Sequence, residues 1–424
     1  MPSRRCLKEV SLQDAQNLPI WCQPIGLLIL MTAAMAISFA TWSALLNNFV
    51  KVAADFDGSD IGVLHTVREI PGFLAIGVIA IIIFVREQVL ALVSLALLGV
   101  ATALTAWFPS YAGILTITML SSIGFHYYET VNQSLQLQWL PKDRAAQILG
   151  WLLAAGSGAT LLSYVLIVLL WKPLSLTYNA VYMVAGGATA AISVFAMIAY
   201  PRFRAPNPQK RTIIIRKRYW LYYALQFMSG ARRQIFIVFA GFMLVEKFGF
   251  DVDEVTALYL INLFANMVLA PVMGRAVSHF GERNALVFEY FGLTVVFLAY
   301  GGIYYFGWGV VLAATLYVLD HLFFALALAL KTYFQKIADP ADIAPTAAFA
   351  FTINHVAAVG LPFLLGMLWL VSPGAVFLLA AGMALVSLVL ALLIPRHPTP
   401  GHETILDRLI PSPAERHERR ERSF

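Results

Sequence analysis

The chain has 424 residues, of which 60% are hydrophobic and 12% are charged, and its formal net charge is +6. Charged residues make up about a quarter of a typical soluble domain, so this composition and a mean hydropathy of +0.76 exclude a soluble globular protein. The two cysteines, Cys6 and Cys22, are too few for a disulfide framework or a cysteine metal site. The first two dozen residues lack the apolar run of a signal peptide, so we expect the N-terminus to stay in the cytosol.

Long apolar runs follow one another along the chain, bounded by charged residues, proline or glycine. A helix needs about 20 residues to cross a hydrocarbon core of about 30 Å, and the apolar content suffices for about twelve such helices. The sequence therefore predicts an all-α polytopic membrane protein. Its twelve spans are predicted near 25–50, 60–84, 88–108, 111–137, 147–170, 178–199, 219–245, 255–273, 285–306, 309–335, 346–370 and 375–394.

A basic stretch, 201–218, divides these spans into two sets of six. It holds seven lysine or arginine residues and no acidic residue. Its prolines indicate a semi-extended tether between two halves. The predicted organisation is an N-terminal tail 1–24, a six-helix bundle 25–200, the basic inter-bundle loop 201–218, a second six-helix bundle 219–395 and a mobile tail 396–424.

Positive charge is distributed unevenly between the two sides of the predicted bundle. With the N-terminus in the cytosol, the even-numbered connections and both tails hold most of the basic residues, whereas the other side holds Lys51, Lys172 and Lys247. The positive-inside rule therefore predicts a multi-pass protein of the inner (cytoplasmic) membrane with both termini in the cytosol. Membrane topology accounts for the positive net charge, and the basic loop 201–218 would also be attracted to anionic lipid headgroups. We therefore expect no nucleic-acid partner.

The arrangement of two sets of six spans around a basic loop resembles the major facilitator superfamily, of bacterial type, over the whole chain apart from the tails. One motif supports the resemblance: Gly274-Arg275-Ala276-Val277-Ser278-His279-Phe280-Gly281-Glu282-Arg283 follows the eighth span. It is similar to the family's Gly-x-x-x-Asp-Arg-x-Gly-Arg-Lys loop at Gly274, Gly281 and Arg283, which we interpret as a conformational latch. Between the second and third spans the chain has only Phe84-Val85-Arg86-Glu87-Gln88 in place of the motif.

The resemblance implies a secondary transporter that works without a cofactor, by rocking one half against the other around a site near the membrane midplane. Charged residues inside a membrane cost at least about 2.5 kcal/mol each, so they are candidates for that site. In the second span, Arg68 and Glu69 lie on the helical face of His65, just before Pro71-Gly72. Glu69 is a candidate proton carrier and Arg68 a candidate cavity residue; the alternative is a structural ion pair.

The fourth span carries a polar stripe, His126, Glu129, Gln133 and Gln136, spaced three, four and three residues apart. Histidine changes charge near neutral pH, so His126 and Glu129 are predicted to couple transport to protons, with Gln133 in the cavity. A hydrogen-bonded seam between helices is the alternative.

Arg232 and Arg233 lie about thirteen residues into the seventh span, a depth of roughly 20 Å. One of them would bind an anionic substrate group and the other would pair with a carboxylate, for which Asp320 in the tenth span is the predicted partner and a further proton carrier. His321, His355 and Asn47 are the remaining candidates for the cavity. We predict no catalytic and no metal-binding residues.

Enzymes and primary pumps are disfavoured because the chain has no His-Glu-x-x-His, Gly-x-Ser-x-Gly or Walker A motif. The sequence thus predicts a transporter, monomeric and proton-coupled, for a small organic solute, with an anionic or zwitterionic metabolite favoured. Two alternatives stay open: proton-driven efflux of drug-like, lipophilic compounds, and a transporter-shaped sensor or scaffold. The direction of transport is open as well.

Overall fold

The computed structural model describes residues 9–74, 78–140, 145–204, 215–339 and 343–408. Cys6, Lys210 and Arg211, and residues 409–424 of the tail predicted to be mobile, lie outside these ranges. Helices dominate the fold. The first eight are α1 (Leu12–Ala15), α2 (Pro24–Ala54), α3 (Gly58–Phe73), α4 (Val78–Phe84), α5 (Glu87–Leu104), α6 (Tyr111–Trp139), α7 (Ala145–Leu170) and α8 (Tyr178–Ala199). The others are α9 (Trp220–Gln234), α10 (Gly241–Phe248), α11 (Val252–Phe280), α12 (Glu282–Tyr305), α13 (Val310–Phe324), α14 (Leu328–Ile337), α15 (Ile343–Val371) and α16 (Pro373–Leu392).

Among the described residues, ten helical segments are long and apolar enough to cross a membrane. The other two predicted spans, 60–84 and 111–137, fall outside this group, although their described parts contain α3, α4 and α6. The first begins with a helix of only 16 residues, α3, which contains Arg68 and Glu69. The second is the 29-residue helix α6, whose polar stripe lowers its hydropathy. The predicted polar residues of the N-terminal half thus lie on α3, a helix shorter than the candidate membrane spans of this half, and on α6.

The described residues form two compact units. The first unit comprises Met1–Lys210 and Gly241–Leu263, and the second comprises Arg211–Ala240 and Phe264–Phe424. The predicted bundles, 25–200 and 219–395, differ from these units in residues 241–263.

Residues 241–263 belong to the first unit because they pack on its helices through specific contacts. The side-chain amide of Asn48 donates to the Phe250 carbonyl at 2.8 Å. The Lys172 ammonium lies 2.8 Å from Asp253, and the rings of Tyr164 and Tyr259 pack 5.8 Å apart. The contact with Asp253 raises the pKa of Lys172.

In the first unit, α5 packs closely against α6 and α8. A Cβ atom on Gly186 would come within 2.2 Å of the Ala103 backbone nitrogen, and one on Gly99 within 2.5 Å of the Ala190 nitrogen. Small residues thus allow the two backbones to approach, as in other helix pairs of membrane proteins. A buried hydrogen bond from Ser193 to the Leu92 carbonyl, at 2.6 Å, joins the same two helices.

The N-terminal tail and the basic loop form a small parallel sheet that the sequence did not predict. Strand β1 (Glu9–Ser11) pairs with strand β2 (Arg202–Arg204). The Glu9 carboxylate accepts from Arg86 and lies 2.8 Å from Arg204, and the hydrogen bond from Arg86 holds the pKa of Glu9 below its ordinary value. The Gln88 side chain donates to the Pro201 carbonyl and accepts from the Phe203 amide, both at 2.9 Å. The loop therefore begins as an anchored segment.

The tail after α16 is packed against the second unit as far as it is described. Glu403 is buried, and its carbonyl accepts a 2.7 Å hydrogen bond from the Tyr333 hydroxyl. The Arg218 guanidinium lies 2.6 Å from Asp339 and 3.8 Å from Glu403. Residues 396–408, predicted to be mobile, are thus held by buried polar contacts for which the tail's composition gave no signal.

Candidate functional site

The predicted site residues fall into two clusters, one in each unit. The first cluster is formed by Arg68 and Glu69 of α3 and His126 of α6. One Arg68 N–H donates to the Glu69 carboxylate at 3.0 Å, and the Glu69 side chain is almost completely buried. The predicted ion pair is therefore present, although it joins neighbours on one helix and not two helices.

His126 lies close to Glu69 of α3. It is buried, and one of its ring nitrogens lies within 4.8 Å of a Glu69 carboxylate oxygen. His65, also buried, packs its ring against Trp42 at 6.2 Å. Farther along the polar stripe, Glu129 is half-buried and Gln133 is exposed. Exposure thus increases along the stripe from His126 to Gln133.

A small, partly open pocket lies beside Arg68, lined by residues of α2, α3, α5 and α6. We call it the Arg68 pocket. The Arg68 guanidinium lies 5.1 Å from the centre of the Trp42 ring and 5.6 Å from that of Phe39. Besides these three residues, the lining contains Leu98, Thr118, Ser121, Ser122 and Phe125. Arg68 is the predicted cavity residue that the structure places at a cavity of the first unit.

The second cluster lies in the second unit and is formed by Arg232 of α9, Glu289 of α12 and Asp320 of α13. The Arg232 side chain is 1% exposed and that of Glu289 0%, and Arg232 Nη2 lies 3.8 Å from Glu289 Oε1. The guanidinium also lies over the Tyr290 ring, 4.5 Å from its centre. The 3.8 Å distance between Arg232 Nη2 and Glu289 Oε1 is longer than a hydrogen bond. The pair is therefore held by the attraction of opposite charges, and Arg232 also by its cation–π contact with Tyr290.

Asp320, predicted as the partner of an arginine, is buried beside this pair. It is 2% exposed and interacts electrostatically with Arg232 and with Tyr300. The ion pair of Arg232 is made with Glu289, however, which the sequence analysis did not include. Glu289 is the eighth residue of α12, about 10 Å from the beginning of the helix. The predicted span began at residue 285, so the sequence placed Glu289 near an interface of the membrane.

Arg233 takes a different direction from Arg232. It donates to the Asn354 side-chain oxygen of α15 at 2.9 Å, and the Asn354 amide donates to the Gln226 carbonyl at 3.3 Å. The crossing of α9 and α15 is close at this point, because a Cβ on Gly230 would meet the Asn354 carbonyl oxygen at 2.6 Å. Arg233 thus contacts an amide partner from a neighbouring helix.

The remaining predicted cavity residues lie on three different helices. His321 is half-buried and packs against Phe236 at 5.7 Å, and His355 is buried in α15. Asn47 is buried in α2, and its amide nitrogen would lie 3.1 Å from a Cβ atom on Gly241. The structure does not bring Asn47 to the Arg68 pocket.

The predicted latch segment is mostly helical: Gly274 lies in α11 and Arg283 in α12, and Gly281 alone separates the two helices. Gly281 adopts a left-handed backbone, with φ of 81°, which suits a residue without a Cβ atom. Gly274 and Arg283 are half-buried. The next residue after Gly281, Glu282, is buried and pairs with Lys336 of α14 at 2.7 Å, an ion pair that the sequence analysis missed.

A π-helical segment, Ile235–Ala240, separates α9 from α10 directly after the two arginines. Short π segments inside α-helices often occur at functional sites. This segment ends where the chain passes from the second unit to the first, at Gly241. The apolar sequence Ile-Phe-Ile-Val-Phe-Ala gives no sign of it.

Comparison with known proteins identifies the class. The profile of the Major Facilitator Superfamily matches residues 27–362, so the chain belongs to this family of membrane transporters. Its polytopic all-α fold is the fold of that family, as the sequence predicted. No curated protein sequence matches the chain.

Solved structures similar to this chain are transporters as well. A mutant of the nucleoside transporter NupG has a TM-score of 0.71 at 14% identity, over 87% of this chain and 98% of that one. A mutant of a POT peptide transporter with sulfate bound has a TM-score of 0.68 at 15% identity, over 90% and 96%. A bacterial homologue of the iron transporter ferroportin has 0.66 at 10% identity, over 87% and 97%. At these identities the likeness shows the fold alone.

Proposed function

We propose that this protein is a secondary active transporter that moves a small organic solute across the inner membrane by alternating access, coupled to protons. The solute is an anionic or zwitterionic metabolite. Membership of the family supports transport as such. The observation that carries the coupling is the charge balance of the second cluster, in which one buried guanidinium faces two buried carboxylates.

The charge balance implies that one carboxyl group of the cluster carries a proton. Arg232 neutralises one carboxylate, and Glu289 is the one that forms the ion pair with it. A second ionised carboxylate, at Asp320, would be an uncompensated charge in a site that excludes water. Burying such a charge is very costly, and an acid in this position binds a proton instead. Asp320 is therefore the proposed proton carrier, and its proton can be exchanged when the site opens to water.

The first cluster would supply further coupling groups. Glu69 and His126 are buried within 4.8 Å of each other, and Glu129 follows on the same helix. An acid and an imidazole at this separation can share or exchange a proton as access changes. Gln133, Arg233, His321, His355 and Asn47 remain proposed as residues of the substrate path, and Gly274, Gly281 and Arg283 as the conformational latch.

The preference for an anionic or zwitterionic solute rests on Arg68. Arg232 forms an ion pair with Glu289 and Arg233 donates to Asn354, whereas Arg68 borders a pocket. A peptide transporter is among the similar structures, and peptides are zwitterions, which agrees with this proposal. An efflux pump for lipophilic compounds is the alternative, and aromatic walls of the Arg68 pocket at Phe39 and Trp42 favour it in part.

The proposed orientation places both termini in the cytosol, since the anchored sheet of β1 and β2 and the basic residues around it would then face the cytosolic leaflet. We propose a monomer.

Transport in proteoliposomes tests the proposal. Protein would be reconstituted with an imposed pH gradient, and uptake of labelled organic acids, amino acids, nucleosides and cationic dyes measured. We expect accumulation of an anionic or zwitterionic solute that collapses when the gradient is dissipated. Asp320→Asn should abolish gradient-driven accumulation and retain solute exchange without a gradient.

Asp55→Asn is the matched control, because Asp55 is an exposed carboxylate in a left-handed backbone conformation that asparagine tolerates. It should transport like the wild type. Gradient-driven uptake that persists unchanged in Asp320→Asn would refute the proposed carrier. Absence of flux for every solute, together with retained binding of a partner protein, would favour a sensor or scaffold.

A further inference from the structure

Residues 241–263 pack on the first unit, whereas the chain that precedes them from Arg211 and the chain that follows them from Phe264 belong to the second unit. We call residues 241–263 the docked segment; it comprises α10 and the beginning of α11. Because the docked segment is covalently continuous with one unit and packed on the other, it is a candidate for the part of the molecule that moves.

The polar contacts of the docked segment lie at one end of the first unit. Asn48, near the end of α2, donates to the Phe250 carbonyl at 2.8 Å. Lys172, in the connection between α7 and α8, lies 2.8 Å from Asp253 and 4.0 Å from Asp251. The sheet of β1 and β2 precedes α2 and follows α8, so it lies at the opposite ends of these helices. The contacts are therefore on the side that is predicted to be the outer one.

The two polar contacts can break without leaving a buried charge. The Lys172 side chain is 58% exposed, and ion pairs of exposed side chains contribute little to stability. The hydrogen bond from Asn48 contributes more, because the side chain is buried, but it is a neutral group. Docking of the segment through these contacts is thus suited to a reversible step.

A candidate hinge lies where the docked segment begins. The π-helical segment Ile235–Ala240 interrupts the helix directly before Gly241. Sharp bends in helices often occur at such segments, where the regular hydrogen-bond pattern is interrupted. Gly241 itself lies close to α2, since a Cβ atom on it would come within 3.1 Å of the Asn47 amide nitrogen. Asn47 is 5% exposed, and its burial is therefore linked to the position of the docked segment.

We propose that the docked segment is the outer gate of the substrate path. In this conformation the contacts of Asn48 and Lys172 hold it against the first unit, and Asn47 is buried beside it. When the path opens to the outer side, these contacts break and the docked segment moves away from the first unit by bending at Ile235–Ala240. The inference rests on the proposed function and deepens it, because it assigns one of the two alternating states to particular contacts.

The rate at which a cysteine at position 47 reacts with a thiol reagent tests the gate without any substrate. Asn47→Cys would be made in full-length protein that also carries Cys6→Ser and Cys22→Ser, and labelled in lipid nanodiscs with a water-soluble methanethiosulfonate. We expect slow labelling, because position 47 is buried while the segment is docked. Asn48→Ala should increase the rate about two- to tenfold and Lys172→Gln about 1.5- to fivefold, the factors that correspond to one hydrogen bond and one exposed ion pair.

Lys51→Gln is the matched control for Lys172→Gln. Lys51 is also a lysine of the predicted outer side, but its partner at 2.9 Å is Asp55, at the end of the same helix. Faster labelling in Asn48→Ala or Lys172→Gln, absent from Lys51→Gln, supports the gate. Unchanged rates in both variants, an equal increase in the control, or rapid labelling of the parent protein would overturn it. Lys172→Gln, at an exposed position, keeps the test decisive if Asn48→Ala does not fold.

Cross-linking separates the gate from the proposed function. Lys172→Cys/Asp253→Cys, joined by a short bifunctional methanethiosulfonate, should abolish solute flux in proteoliposomes, and reduction should restore it. The matched pair Lys51→Cys/Asp55→Cys joins two positions at the end of one helix and should have no effect. Flux that persists in the cross-linked 172–253 pair would overturn the gate and leave transport standing. The expected labelling rates without flux of any solute would contradict the proposed function and leave the movement of the docked segment standing.

Discussion

Arg232 and Glu289 face each other in the interior of the second unit, with Nη2 3.8 Å from Oε1 and neither side chain more than 1% exposed. Asp320, buried beside them, adds a second carboxylate to a single guanidinium. The proposed proton carrier depends on this imbalance, because a closed pair would have no capacity to bind and release a proton.

The Arg232–Glu289 pair should contribute to stability as a unit. Arg232→Gln leaves two acids without a buried counter-charge, and we expect a loss of about 3–5 kcal/mol in the free energy of unfolding. Glu289→Gln alone should cost less, because Asp320 remains to balance Arg232. In the double variant the loss should be smaller than the sum of the two single losses, as for residues that interact. Thermal or denaturant unfolding in detergent measures all three, and additive losses would show that the two side chains act independently.

The adjacent glycines Gly186 and Gly187 of α8 provide a matched test of helix packing. A Cβ on Gly186 would meet the backbone of α5 at 2.2 Å, whereas a Cβ on Gly187 would meet nothing within 4 Å. Gly186→Ala should therefore destabilise the protein, and Gly187→Ala should stabilise it by up to about 1 kcal/mol through helix propensity. Apparent melting temperatures in detergent would show the difference. Equal shifts of the same sign would mean that α5 and α8 are not in close contact.

The anchored sheet of β1 and β2 should depend on the charge of Glu9. Glu9→Gln removes the contacts to Arg86 and Arg204, so amide hydrogens of 9–11 should exchange faster, with α16 as an internal reference. The hydrogen bond from Arg86 lowers the pKa of Glu9, so its contribution is present above the ordinary glutamate range and is lost as pH falls through the lowered pKa. Protection should thus persist at a pH where a free glutamate is already protonated. Equal exchange in variant and wild type would show that backbone pairing alone holds the sheet.

The sequence predicted the helices well because burial in a bilayer requires long apolar runs, and these are visible without any tertiary information. It also indicated Arg68, Glu69, Arg232 and Asp320, since ionisable groups deep in such runs are conspicuous. Glu289 was missed for a physical reason. An acidic residue in the second or third turn of a span resembles, in sequence, the charged residues that flank the span outside the membrane. Its burial depends on the neighbouring helices.

Other features depend on pairings that leave no local pattern. Strands β1 and β2 are three residues each and lie almost two hundred positions apart, so neither shows an alternation long enough to predict a strand. The partners of Glu403 and Glu282 are fixed by the packing of α14, and the π segment Ile235–Ala240 lies in an apolar run typical of any span. Chain composition cannot specify such contacts.

The central claim, that Asp320 holds a proton in the resting protein, can be measured without knowing the substrate. Infrared difference spectra of wild-type protein minus Asp320→Asn, in lipid nanodiscs at neutral pH, would report the carboxyl stretching region in H₂O and D₂O. We predict a band of a protonated carboxylic acid that shifts in D₂O and disappears as pH is raised, with no such band for wild type minus Asp55→Asn. A difference spectrum that shows only an ionised carboxylate at Asp320 would contradict the account.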